Sequence, residues 1–173
     1  ANTIGMLGIA ANIFRKHSDA IDLFENAIAL KKDEPALFFN LGIALYEEGN
    51  IRKAIKAFET SATQGPMLFE PWDYLGDSYR KMGEFEKAIF SYGKGISLGG
   101  QSFDTFVRLA NCYETLGNVP MALENYRAAG EILRKFVEYF SGDVFSLRII
   151  FELIICEAKI EKKFDCNEKI KIF

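Results

Sequence analysis

Residues 72–92, WDYLGDSYRKMGEFEKAIFSY, decide the fold. Trp72, Leu75 and Tyr79 recur at steps of three and four residues, and so do Phe85, Ala88, Ile89 and Tyr92, which is the spacing of one helix face and not of a strand. Gly83-Glu84 separates the two runs at a point where glycine can close a helix in the left-handed conformation. The stretch therefore predicts a hairpin of two short antiparallel helices. The small Gly76 beside Leu75 lets the two backbones approach, and the large residues fill the space beside it.

The same pattern recurs every 34 residues. Alanines stand at 20, 54, 88 and 122, with aromatic residues four places on at Phe24, Phe58, Tyr92 and Tyr126. Leu7, Leu41, Leu75 and Leu109 repeat in register, each followed by a small residue, Gly8, Gly42, Gly76 or Ala110. Larger apolar residues precede them at Ile4, Phe38, Trp72 and Phe106. Turn signals fall again at Gly49-Asn50 and Gly117-Asn118. The prolines respect the division: Pro35 and Pro71 start first helices, Pro66 lies in a connection and Pro120 opens a second helix. One hairpin cannot bury both faces, so neighbours must stack, and a superhelix with a concave and a convex side is expected.

These residues closely resemble the tetratricopeptide repeat family. Trp72, Leu75, Gly76, Tyr79, Gly83, Ala88 and Tyr92 reproduce nearly the whole family signature, and Phe38 through Pro66 repeat it. The resemblance implies an all-α, right-handed solenoid of four hairpins, at about 1–34, 35–68, 69–102 and 103–136, followed by a C-terminal segment over 137–173. The first and fourth periods are looser: Arg15 replaces the turn glycine, Ala11 the usual large aromatic, and Arg134 stands at the fourth period's proline.

Composition agrees with a folded chain and excludes several functions. Of the 173 residues, 49% are hydrophobic and 26% charged, with a formal net charge of −3, a balance that does not resemble disorder. No segment is a basic arm for nucleic acid. Cys112, Cys156 and Cys166 form no CxxC pair and, with the single His17, offer no zinc spacing, so reduced thiols and a cytoplasmic location are expected, with no metal or cofactor. No basic region followed by an apolar core and a cleavage site opens the chain, so no signal peptide is expected. No nucleophile–base pair can be assembled: His17 falls at a packing position shared with Ile51, Phe85 and Val119, and Cys112 at a small-residue position shared with Ala10, Ala44 and Ser78. Glu47-Glu48 and Asp33-Glu34 read as solvated surface. Gly93, Gly95, Gly99 and Gly100 lack a phosphate-loop spacing and a preceding strand, and read as residues that loosen or end a helix. The chain reads as a non-enzymatic scaffold for a protein partner. A docking domain of a larger enzyme and a self-assembling unit are the alternatives.

The resemblance implies that ligands lie along the inner surface lined by first helices. With the four leucines pointing into the core, helical geometry assigns that surface to Asn2, Gly5, Ile9 and Asn12; Ala36, Phe39, Ile43 and Tyr46; Glu70, Asp73, Asp77 and Arg80; and Asp104, Val107, Asn111 and Glu114, and the family resemblance adds Asn40 and Arg108 to the expected groove. The earlier hairpins offer apolar and aromatic side chains and the later ones carboxylates. The expected ligand is a peptide or helix with an apolar portion and a Lys/Arg-bearing portion. One subclass of the family captures a C-terminal carboxylate with lysine, asparagine and arginine from consecutive first helices. Asn40 matches that pattern, but Gly5, Ile9, Glu70 and Tyr74 do not. Starting one repeat later, Arg108 matches and Phe39, Ile43, Tyr74 and Asp104 do not, so carboxylate capture is disfavoured.

Beyond residue 136 the period fades. Ser141-Gly142 marks a break and Asp143 an N-cap for a helix to about Lys163. Four charges, Arg148, Glu152, Glu157 and Lys159, interrupt Val144–Ile160, so a membrane span is not expected. Ile149, Ile150, Phe151, Ile154 and Ile155 are expected to cover the fourth hairpin on one side and to meet a second copy, a missing domain or a partner on the other.

Overall fold

A computed structural model describes residues 2–139, with side chains described through residue 135. The expected contact helix around Ile149–Ile155 lies outside the described residues. Eight α-helices account for the described chain: α1 Asn2–Ile13, α2 His17–Leu30, α3 Pro35–Glu47, α4 Ile51–Gln64, α5 Glu70–Lys81, α6 Phe85–Ser97, α7 Phe103–Thr115 and α8 Val119–Tyr139. No strand occurs among the described residues. Two compact units divide after Gly100.

In the first unit, α1 pairs with α2, α3 with α4 and α5 with α6; α2 also packs on α3, and α4 on α5. First helices touch one another directly, α1 with α3 and α3 with α5, which places them on the inner side of this unit. Its core is the predicted set: Ala20, Phe24, Leu41, Ala44, Ala54, Phe58 and Leu75 lie in one buried cluster, flanked by half-buried Phe39, Ile43, Tyr46, Trp72 and Tyr74. Ser61 Oγ donates to the Pro35 carbonyl at 2.9 Å, fastening the end of α4 to the start of α3.

Each hairpin of this first unit closes by a ring laid against a glycine. A Cβ on Gly8 would stand 2.8 Å from the Phe24 ring, and one on Gly42 or Gly76 would stand nearer still to the ring of Phe58 or Tyr92, too close for any carbon contact. The fully buried rings therefore occupy the volume a methyl group would need. Gly76→Ala is expected to lower stability by about 1–2 kcal/mol, because overpacking outweighs the gain of ~1 kcal/mol in helix propensity. Urea denaturation checks this, and an unchanged or higher midpoint would show that the ring has room to move.

Helix-closing turns follow the period as well. Gly49, Gly83 and Gly117 adopt φ of +87°, +76° and +75°, and Arg15, at the matching place in the first hairpin, adopts φ +58°. A side chain in that region costs of order 1 kcal/mol. His17 holds the turn from the other side: its Nδ1 lies 2.7 Å from Asn12 Oδ1, bridging α1 and α2. Arg15→Gly is expected to raise the thermal midpoint by a few degrees, corresponding to about 0.5–1 kcal/mol.

One core expectation is corrected. Leu41 and Leu75 are 9% and 2% exposed, but Leu7 is 55% exposed. The period places it correctly on α1, yet among the described residues no second helix lies in front of it, whereas α2 covers Leu41 and α4 covers Leu75.

The second unit begins with α7 packed antiparallel on α8. Ser102 caps α7 by accepting from the Thr105 amide at 3.1 Å, the arrangement that satisfies an orphan helix donor. Ala110, Ala122 and Tyr126 form its buried cluster with Val107 and Tyr113 alongside. Cys112 is fully buried, as its small-residue position predicts.

Candidate functional site

On the inner side of the first unit, α3 and α5 bring together an aromatic group whose members stand far apart in sequence. Phe39 meets Tyr74 edge-on with centroids 5.4 Å apart and Phe58 at 6.0 Å; Tyr74 lies 5.2 Å from Phe58 and 6.1 Å from Tyr46. Lys81 Nζ sits 3.7 Å from the Tyr46 centroid, a cation held against the negative face of the ring. Phe39, Ile43, Tyr46 and Tyr74 are each half-buried, so this surface is partly packed and partly open. Ile9 on α1 adds an apolar side chain that is 42% exposed.

The expected carboxylates are not equivalent. Glu70 is exposed at the start of α5. Asp73 is half-buried, and Gly95 of α6 makes room for it, since a Cβ there would lie 2.8 Å from Asp73 Oδ1. Asp77 is engaged within its own hairpin: Tyr92 donates its hydroxyl to Oδ1 at 2.6 Å, and Arg80 Nη2 stands 3.4 Å away. Asn40 likewise turns inward on its helix, donating to the Ala36 carbonyl at 2.8 Å. In the second unit the matching face of α7 carries exposed Asp104 and half-buried Arg108 and Asn111. There the Tyr126 hydroxyl stands 2.5 Å from Asn111 Oδ1 and 2.8 Å from Glu114 Oε2. Tyr126 and Asn111 are the 34-residue counterparts of Tyr92 and Asp77, so one tether recurs in both units.

Tyr74 falls outside the set that helical geometry assigns to the inner face, because that set takes positions two residues either side of each leucine. Its aromatic neighbours become visible only when α3 and α5 lie together. A second hollow, of about 430 Å3, opens between α4, α5 and α6 and is lined by residues including Glu59, Trp72, Tyr79, Lys87 and Phe90. Phe90 is 67% exposed beside Trp72. The signal for it was legible, since the matching positions carry Asp22, Lys56 and Glu124.

Two phenols titrate abnormally. Burial pushes Tyr92 far up, and the Asp77 charge that its hydroxyl faces pushes the same way. Tyr79 is pushed up to about 12 by partial burial and by its hydrogen bond to Glu59. A phenol whose folded value lies above its unfolded value of about 10 contributes stability that is full below that pH and is lost as pH rises beyond it. The denaturation midpoint is expected to fall as pH rises from about 10 towards 12, and Tyr92→Phe to reduce that fall. Equal slopes for the two proteins would show that the tether does not govern alkaline stability.

Among the described residues no three His, Cys, Asp or Glu side chains could hold a metal ion. No described helix is long and apolar enough to cross a membrane.

Repeated helical hairpins, with a small residue under each buried ring, place the molecule among the α-helical repeat proteins. Tetratricopeptide repeat profiles match residues 7–66 and 71–98, which are 60 and 28 residues, together 88 of 173. The chain belongs to the tetratricopeptide repeat family, and its fold class is the all-α helical-hairpin repeat of that family's solenoids. Solved structures agree in fold. A crystal structure of MamA superposes with TM-score 0.75 at 24% identity, covering 80% of this chain and 76% of that one. MamA 41-end from Desulfovibrio magneticus RS-1 gives TM-score 0.72 at 18% identity, covering 76% and 75%. The Sgt2 TPR domain from Aspergillus fumigatus gives TM-score 0.64 at 24% identity, covering 69% and 80%. No curated protein matches in sequence.

Proposed function

We propose that the chain is a protein-interaction scaffold without catalytic activity of its own, and that the inner face of its first unit holds a peptide or helix of a partner. The observation that carries this reading is the half-open aromatic surface of Phe39, Tyr46 and Tyr74. Aromatic side chains that are rigid yet reachable supply most of the energy at protein contacts. Ile43 extends the surface, and Glu70 and Asp73 border it on α5. The ligand accordingly pairs an apolar anchor with a lysine or arginine, the carboxylates contributing orientation and on-rate. Asp77 shapes the floor through Tyr92 and is not the principal charge offered. The face of α7 that carries Asp104, Arg108 and Asn111 is the matching surface of the second unit.

Selection from a displayed random-peptide library tests the proposal. Selected peptides are expected to share an aromatic or aliphatic anchor near a basic residue, and to bind less tightly as salt rises. Glu70→Lys with Asp73→Lys should weaken them about tenfold or more at low salt, and Tyr74→Ala by a similar factor. Acidic peptides, or peptides indifferent to all three substitutions, would overturn it.

A further inference from the structure

A carboxylate, a ring and an ammonium stand in line along α5. Glu70, Tyr74, Asp77 and Lys81 fall at i, i+4, i+7 and i+11 of this helix, which is one face. Asp77 is engaged by the Tyr92 hydroxyl, so the charges this face offers stand at its two ends. Glu70 and Lys81 are both exposed, and among the described residues neither is held in an ion pair. Lys81 rests on a ring instead, its Nζ 3.7 Å from the Tyr46 centroid, and Tyr46 in turn meets Tyr74 edge-on at 6.1 Å. At a rise of 1.5 Å per residue, the two ends lie about 16 Å apart along α5, with Tyr74 between them.

Neither the repeat nor the helix dipole requires this arrangement. An acidic first turn and a basic last turn complement the macrodipole, yet α3, with the same dipole, has neither: Ala36 and Glu47 stand at the places of Glu70 and Lys81. On α7 those places hold Asp104 and Thr115. Tyr74 is matched by Asn40 and Arg108. Among the described first helices, only α5 combines the carboxylate, the ring and the ammonium.

An exposed ammonium on a ring is weakly held. A ligand carboxylate brought to that place would gain a charge-assisted hydrogen bond from Lys81 without any movement of the rings, whereas a second cation would be repelled. We infer, on the reading of the inner face as a peptide groove, that Lys81 fixes the charge pattern of the ligand: a lysine or arginine at Glu70 and Asp73, the apolar anchor on Phe39 and Tyr74, and an aspartate or glutamate at Lys81. The acidic residue and its place are what this adds. In an extended ligand the basic and acidic residues lie about five positions apart, at ~3.3 Å per residue, and in a helical ligand about eleven. Either way the two charges flank the anchor.

Parallel selections of random peptides on the wild-type chain and on Lys81→Glu test it. The wild-type pool is expected to carry an aspartate or glutamate on the far side of the anchor from its basic residue, and the Lys81→Glu pool a lysine or arginine at that place. Peptides from the wild-type pool should bind Lys81→Glu about tenfold more weakly at low salt, with the difference shrinking as salt rises. Replacing the peptide's acidic residue by alanine should weaken binding to the wild type a few-fold and leave binding to Lys81→Ala unchanged. Glu47 occupies the matching position of α3, so a glutamate at 81 is compatible with the helix, and the Lys81→Ala cycle carries the test independently of that variant. Peptides that weaken on Tyr74→Ala yet bind Lys81→Glu as tightly as the wild type, or a wild-type pool without the acidic residue, would overturn the inference and leave the groove standing. Peptides indifferent to Tyr74→Ala would remove the groove and the inference together.

Discussion

Everything in the first unit depends on one close approach, that of an aromatic ring on each second helix to a glycine on the first. Phe24 over Gly8, Phe58 over Gly42 and Tyr92 over Gly76 each use space that a single methyl group would take. The contact brings the paired helices together and leaves the large residues before each leucine to fill the flanks. It also gives Tyr92 its second role, because a ring seated on Gly76 places its hydroxyl at Asp77. A packing constraint thus decides which carboxylate the inner face can offer.

That inner face combines rigidity with access. Phe39, Tyr46 and Tyr74 support one another and lean on Phe58, which belongs to the core. A ligand meeting them would find side chains already ordered, so little further rotamer entropy would be lost on binding. Lys81 over Tyr46 shows that a cation can already rest on this surface.

The two ends of the described chain differ in how they depart from the repeat. Ser102 caps α7 with its own side chain. The first hairpin instead closes its turn with Arg15 in a glycine conformation and keeps an uncharged first helix. Its Leu7, Ile13 and Phe14 depart from their counterparts in exposure or in residue type, and the departures lie on one stripe. A repeat protein makes such deviations readable, because each position carries its own internal comparison.

By itself the sequence determined the helical hairpins, the 34-residue register, the turn positions and the buried rings. These are consequences of local spacing, and a residue 34 places away states the same rule again. It also named Phe39, Ile43 and Tyr46 as inner-face residues, since helical geometry needs only the direction of one core residue. Only the tertiary structure decided that Leu7 is open, that Tyr74 belongs with Phe39, and that Asp77 is engaged by Tyr92. Burial and hydrogen bonding depend on which helix lies in front, a property of neighbours that no single helix pattern contains.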